Sequence, residues 1–214
     1  MLENIKALIF DMDGTMIANK IYHDDAWIAF CKKYRQNANI DDFIHRYAGK
    51  TNEVILEMVF DRQLTIEEFR KFEDIKESMY REMYTPHFKL VSGLVDLLEL
   101  AKLKGLKLAI ATSAPQVNVD FVCNNGNIGK YFDTTINSTM VTEGKPSPEV
   151  FLKAPKALNV QPAECICFED SRVGITASLA AGMRTVGIAT ELSVETLLGI
   201  GAHEAYKDFT IFTS

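Results

Sequence analysis

The chain has 214 residues, with 23 Lys and Arg against 29 Asp and Glu, so its formal net charge is −6. This acidic balance without a basic stripe argues against a nucleic-acid binder, and no apolar run approaches the roughly 20 residues of a membrane span. The N-terminus lacks the layout of a secretory signal, and a chain of this size does not need disulfide bonds between its four cysteines for stability. We therefore expect a cytoplasmic, monomeric protein with reduced cysteines.

Short apolar runs alternate with helical patterns along most of the chain. Runs without polar alternation predict strands that are buried on both faces; they lie at 5–10, 106–111, 165–168 and 185–189. Helical patterns lie between them, at 93–104, 148–158 and 172–181, and Pro155 conflicts with the second of these. This order predicts an α/β fold, a Rossmann-like parallel sheet flanked by helices.

The segment from 19 to 84 breaks this rhythm, because it carries helical patterns only. One helix is predicted to start near Asp24, a second follows Thr51, and a third begins with the capping box of Thr65 and Glu68 and must end before Pro86. We therefore predict an α/β core domain of residues 1–18 and 85–214, with an inserted all-helical domain of residues 19–84.

Two aspartates follow the first predicted strand. Asp11 and Asp13 are two positions apart on an extended chain, so both carboxylates point to the same side. At 4 Å they would repel by about 4 kcal/mol, and a metal, a shared proton or both must offset this. A solvated turn is the plainer alternative. A calcium loop is excluded, because its sixth position would be Met16 and its twelfth Tyr22.

Polar and charged side chains also follow the other strands. They are Thr112 and Ser113 after the second strand, Lys145 ahead of a helix, and Glu169 and Asp170 after the third strand. The carboxyl ends of parallel strands share one edge, so these groups should converge on the aspartate pair. Four carboxylates and one lysine can accept an anionic phosphoryl group only with a cation, and oxygen ligands favour Mg²⁺ over zinc.

These segments, in order, resemble the four motifs of the haloacid dehalogenase-like (HAD) phosphatase superfamily. The most specific are GKPSPEVF at 144–151 and FEDSRVGI at 168–175, and the resemblance extends from Phe10 to about Ala189. It points to the helical-cap subgroup, which includes phosphoglycolate phosphatase, sugar-phosphate phosphatases and β-phosphoglucomutase. The helical insert at 19–84 matches the cap of that subgroup in place and size.

The resemblance implies a role for each motif residue. Asp11 would be the nucleophile that forms an aspartyl-phosphate, and Asp13 would be the general acid and base. Thr112 and Lys145 would orient the phosphoryl oxygens.

Mg²⁺ would be held by Asp11, the Asp13 backbone carbonyl and Asp170, with Glu169 bound directly or through water. The expected activity is magnesium-dependent hydrolysis of a small phosphorylated metabolite, such as a sugar phosphate. Dehalogenation is disfavoured because Asp13 is present, and a non-catalytic binding module is disfavoured because no site position is missing.

A β-phosphoglucomutase-like mutase is the main alternative. The mutase holds its second phosphate through a cap Arg and a Ser-Lys-Asn segment, and the corresponding positions here are Asn52 and Ala114-Pro115-Gln116. Lys50 could replace part of that charge. His23 would contact substrate or pack at the hinge, and the hinge is favoured. The candidate substrate-binding residues are Ser113, Ala114, His23, Gly49, Lys50, Thr51 and Asn52.

Overall fold

The protein contains a six-stranded parallel sheet. The structure, a computed structural model, describes residues 4–35 and 51–212. The strands are β1 Ala7–Phe10, β2 Lys107–Ala111, β3 Thr134–Ile136, β4 Cys165–Glu169, β5 Arg184–Ile188 and β6 Glu204–Tyr206. Their order across the sheet is β3-β2-β1-β4-β5-β6, and every neighbouring pair is parallel. The predicted α/β fold class is confirmed.

The central strands were predictable because they are covered on both faces. All four residues of β1 are buried, and Phe10 lies beside Ile110 of β2 and Phe168 of β4. The strands β3 and β6 are not among the predicted strands; they have three residues each and lie at the two edges of the sheet. Neither contains an apolar run, because an edge strand is only partly covered.

Helices occupy most of the remaining described chain. They are α1 Lys20–Tyr34, α2 Asn52–Phe60, α3 Ile66–Tyr84, α4 Leu94–Leu103, α5 Gln116–Gly126, α6 Glu149–Leu158, α7 Arg172–Ala180 and α8 Val194–Ile200. The first of these begins four residues before the predicted start, with Lys20 paired to Asp24 at 2.6 Å. Pro155 is buried within α6, and the helix continues for three residues beyond it. None of the described helices is both long and apolar enough to cross a membrane.

The chain divides into two compact units. The core unit consists of residues 1–18 and 89–214, and the helical unit consists of residues 19–88. Apolar side chains of β1, β2 and β4 pack with those of α6 and α7 to form the interior of the core unit. All four cysteines are free thiols.

The helical unit has its own apolar centre. Side chains of α1 and α2, among them Trp27, Phe30 and Leu56, are buried there, and residues of α3 pack against them. The predicted capping box is present at the start of α3, where Thr65 and Glu68 each accept a hydrogen bond from the backbone of the other. This exchange satisfies backbone N–H groups that the first helical turn leaves without partners.

Candidate active site

The turn that follows β1 places Asp11 in the interior of the core unit. The Asp11 side chain is buried, and its backbone N–H donates to the Phe168 carbonyl of β4 at 3.0 Å. The chain then turns at Gly14, which has φ +81° and donates to the Ile17 carbonyl at 2.8 Å. A Cβ atom on Gly14 would lie 2.1 Å from Asp170 Oδ2, so this turn requires glycine for both its conformation and its space.

Lys145 bridges two of the predicted carboxylates. Its ammonium nitrogen lies 2.5 Å from Asp11 Oδ1 and 2.6 Å from Glu169 Oε1. The same nitrogen lies 4.6 Å from the centre of the Phe151 ring. All three charged side chains are at least nine-tenths buried, so water screens this ion-pair cluster only weakly.

Hydrogen bonds and packing fix the orientation of Glu169. Its Oε2 atom accepts from the Asp170 N–H at 3.0 Å, the Ser171 N–H at 3.1 Å and the Ser171 hydroxyl at 3.0 Å. On the other side lies Gly174, where a Cβ atom would be 1.8 Å from Glu169 Oε1. This explains the glycine in the fourth motif, because any larger residue would overlap the carboxylate.

Asp170 completes a cluster of three carboxylates. Oxygens of Asp11, Glu169 and Asp170 all lie within 4.8 Å of one another, and all three residues are buried. Thr15 donates its hydroxyl hydrogen bond to Asp170 Oδ1 at 3.2 Å. With Lys145, the four groups carry a formal charge of −2 when all are ionised. Buried oxygen donors with this net charge fit a hard divalent cation.

Burial and repulsion change the proton affinities of these groups. Burial raises the pKa of Asp11 from 3.8 to about 7, although the Lys145 ammonium opposes this effect. Burial, followed by the charges of Glu169, Asp11 and Glu191, raises the pKa of Asp170 well above its ordinary value. Burial alone would lower the pKa of Lys145, but the two carboxylates outweigh it and raise that pKa. Lys145 therefore does not offset the burial of Asp11 and Asp170, and further positive charge at the cluster would favour their ionised forms.

The second motif lies at the end of β2, next to β1. Thr112 is buried, and its hydroxyl oxygen accepts from the Ala114 N–H at 3.0 Å. Ser113 is exposed, whereas Ala114 is buried. Asp13 is half-buried in the turn after β1. The structure thus places Asp11, Lys145, Glu169 and Asp170 in one cluster, with Thr112 at the end of the adjacent strand.

Two of the candidate binding residues belong to a buried polar network in the helical unit. Lys76 Nζ lies 2.9 Å from His23 Nδ1 and 2.8 Å from Glu77 Oε1. The amide nitrogen of Asn52 donates to Glu77 at 2.9 Å and to Glu73 at 3.1 Å. Sequence reasoning missed the three charged members of this network, although Lys76 and Glu77 lie within the predicted third helix.

Thr51 caps α2, where its hydroxyl accepts from the Val54 N–H. Gly49 and Lys50 lie outside the described residues.

Sequence reasoning also missed Thr190. This residue follows β5, and its hydroxyl donates a hydrogen bond to the Gly14 carbonyl. A signal was present, because a polar residue at the carboxyl end of a parallel strand lies on the edge that carries the other motifs.

Asp11, Glu169 and Asp170 lie at the carboxyl ends of β1 and β4, where an α/β enzyme with a parallel sheet places its active site. The family model of haloacid dehalogenase-like hydrolases matches residues 8–188. The chain belongs to this family, and the family resemblance of its motifs is confirmed.

Similar proteins include enzymes that are named for different activities. A phosphorylated carbohydrates phosphatase from Thermotoga maritima is 29% identical, over 88% of each chain. A β-phosphoglucomutase from Bacillus subtilis is 30% identical, over 86% of this chain and 83% of its own length. The crystal structure of a HAD hydrolase of family IA, variant 3, from Entamoeba histolytica has a TM-score of 0.88 and 32% identity, and covers 97% of this chain and 95% of that one.

Proposed function

We propose that this protein is a phosphoric monoester hydrolase, a magnesium-dependent phosphatase that acts on a small phosphorylated metabolite, most simply a sugar phosphate. The observation that carries the proposal is the buried cluster in which Lys145 contacts Asp11 while Asp11, Glu169 and Asp170 converge. A similar protein named for phosphatase activity on phosphorylated carbohydrates supports the substrate class.

The residues of the cluster fit Mg²⁺, which Asp11, Glu169, Asp170 and the Asp13 carbonyl would hold. When bound, Mg²⁺ would supply positive charge that lets carboxylates and a phosphoryl group share one site. Lys145 would bind a phosphoryl oxygen and neutralise part of its charge. Thr112 would orient a second phosphoryl oxygen, with the Ser113 and Ala114 backbone beside it.

In the first chemical step, an Asp11 carboxylate oxygen attacks phosphorus, and the bond from phosphorus to the substrate oxygen breaks. Asp13 gives its proton to the departing alkoxide. In the second step, Asp13 takes a proton from water, and the water oxygen attacks the same phosphorus and releases Asp11. Asp13 therefore loses a proton in the first step and regains one in the second, so it ends the turnover in its starting form.

Asp11→Asn tests this route, because an amide cannot act as the nucleophile. We expect less than about 1% of wild-type phosphate release, with an unchanged far-UV circular dichroism spectrum. Chelation should stop the wild-type enzyme and added Mg²⁺ should restore it. Metal-independent turnover, or an active Asp11→Asn protein, would contradict the mechanism.

A phosphosugar mutase is the second candidate, since a β-phosphoglucomutase is among the similar proteins. Two observations favour hydrolysis. Asn52, at the position expected to carry the mutase arginine, directs its amide nitrogen to Glu73 and Glu77. Gln116 donates to Asp120 at 2.7 Å and accepts from Asn137 at 2.6 Å, so its amide is committed to the core unit.

A mutase must hold both phosphates of its bisphosphate intermediate, and each lost charge-assisted contact costs on the order of 1.5–3 kcal/mol. Two such losses lower the affinity for the second phosphate by a factor of roughly 10² to 10⁴. We therefore expect faster phosphate release from sugar monophosphates than conversion of β-glucose 1-phosphate to glucose 6-phosphate, even with bisphosphate primer. Tenfold faster isomerisation would favour the mutase, and Lys50→Ala would then test whether Lys50 replaces the missing arginine.

A further inference from the structure

A hydrogen bond connects two loops of the core unit that belong to non-adjacent strands. Thr190 follows β5, Gly14 follows β1, and the Thr190 hydroxyl donates to the Gly14 carbonyl. In the sheet, β4 lies between β1 and β5. Neighbouring strands are about 4.8 Å apart, so β1 and β5 lie roughly 10 Å apart. The two loops that follow them approach each other across the end of β4 and meet in this hydrogen bond. Asp170, which directly follows β4, lies where the two loops meet.

The Gly14 turn is in direct contact with Asp170. The space that a Cβ on Gly14 would need is occupied by the Asp170 carboxylate, with Oδ2 at 2.1 Å. The next residue, Thr15, is fully buried and donates its hydroxyl to Asp170 Oδ1 at 3.2 Å. A displacement of this turn would therefore change the position of Asp170 and, through the same short segment, the positions of Asp11 and Asp13.

The loop that carries Thr190 is itself anchored at its base. The Ala189 N–H donates to the Tyr206 carbonyl at 2.8 Å, and the Thr190 N–H donates to the Ile188 carbonyl at 3.0 Å. These bonds tie the loop to β5 and β6. The Thr190 hydroxyl thus connects a loop that is anchored to β5 and β6 with the turn that follows Asp11 and Asp13.

We propose that Thr190 is a positioning residue of the active site, which holds the Gly14 turn against Asp170 and so sets the spacing of the carboxylates that bind the divalent cation. This inference rests on the proposed function, because it assigns the carboxylates to a cation. Thr190 contacts neither the substrate nor the reacting atoms in this assignment, and it acts only through the backbone of Gly14.

If Thr190 only stabilised the fold, its loss would have a different effect on Mg²⁺ binding. A variant of a second threonine distinguishes this possibility from a positioning role. Thr185, on β5, is buried and shares a hydrogen bond of 2.8 Å with Ser178. Thr185→Val removes a hydroxyl hydrogen bond inside the same unit, but at a place that does not contact the carboxylate cluster. If Thr190 served stability only, the two valine variants would behave alike.

The test measures Mg²⁺ binding by substrate-free protein, by isothermal titration calorimetry and by the Mg²⁺-induced rise in Tm. Partners that orient metal ligands typically change metal affinity by 10–100-fold when removed. We expect Thr190→Val, and Thr190→Ala in parallel in case valine does not fit, to raise the Kd for Mg²⁺ about tenfold. Thr190→Ser retains the hydroxyl and should stay within about twofold of wild type, as should Thr185→Val.

Kinetics supply a second readout. With Thr190→Val, the Mg²⁺ concentration for half-maximal phosphate release should rise by the same factor, while KM for the substrate at saturating Mg²⁺ stays near the wild-type value. Equal Mg²⁺ affinity in wild type and in both Thr190→Val and Thr190→Ala would overturn the inference, as would an equal loss in Thr185→Val. If the wild-type protein binds no Mg²⁺, the proposed function fails, and this inference fails with it.

Discussion

In protein freed of divalent metal, the free energy of unfolding should decrease as the pH rises from 5 to 7. Burial raises the pKa of the Asp11 carboxyl from 3.8 to about 7, against the opposing charge of Lys145. Between these two pKa values the folded chain binds more protons than the unfolded chain, so stability falls with rising pH. Asp170, whose pKa burial also raises, acts in the same direction.

The magnitude follows from the pKa of Asp11. At about 1.4 kcal/mol per pH unit, and with the carboxyl already half ionised at pH 7, the titration of Asp11 alone lowers the free energy of unfolding by roughly 2 kcal/mol between pH 5 and pH 7. For a chain of this size that corresponds to a decrease in Tm of about 4–8 °C. Glu68 and Glu149 have pKa values lowered to about 2 by their hydrogen-bonded partners Arg62 and Lys153. Their contribution is lost only below about pH 4.5, outside this window.

Thermal or urea denaturation of metal-free protein at pH 5, 6 and 7 measures the effect. Asp11→Asn is the matched control, because it removes one of the titrating groups and should make the pH dependence of the free energy of unfolding shallower. Added Mg²⁺ should stabilise the wild type more at pH 7 than at pH 5, since the metal competes with protons for the same oxygens. A wild-type stability that stays constant or increases from pH 5 to pH 7 would refute this reasoning.

Two further substitutions probe the cluster by urea denaturation and phosphate release. Lys145→Met removes the partner of two buried carboxylates and should lower the free energy of unfolding by about 3–5 kcal/mol in metal-free protein at pH 7.5. An unchanged urea midpoint would contradict a stabilising role of these ion pairs. Gly174→Ala would place a Cβ 1.8 Å from Glu169 Oε1. We expect this variant to lower the free energy of unfolding by at least about 1–3 kcal/mol and to lose most of the phosphate release. Its control is Gly199→Ala in α8, where an added Cβ meets no atom within 4 Å. This variant should raise the free energy of unfolding by about 0.5–1 kcal/mol. Equal effects of the two glycine variants would exclude the packing explanation.

Much of the fold could be predicted because its signals are local. A strand covered on both faces must be apolar throughout, so β1, β2, β4 and β5 are visible as short apolar runs. The capping box of α3 is equally local, since its partners are three residues apart. The edge strands β3 and β6 carry no such pattern, and only their pairing with a neighbouring strand identifies them.

The location of the active site could also be inferred from the sequence. The carboxyl ends of parallel strands lie along one edge, so residues that follow different strands are brought together by topology alone. The sequence therefore predicts that Asp11, Glu169 and Asp170 lie near one another, and in the structure their oxygens lie within 4.8 Å of one another. Their catalytic and metal-binding roles remain proposals for the experiments above.

Only the tertiary structure decided which side chains bind each other within these groups. The bond from Thr190 to Gly14 joins residues 176 positions apart, and Asn52 reaches Glu73 and Glu77 from another helix. Local patterns report which face of a helix or strand is buried, because burial repeats with the period of the element. These patterns do not indicate which side chains on distant elements become partners, since the distances between such side chains depend on how strands and helices pack.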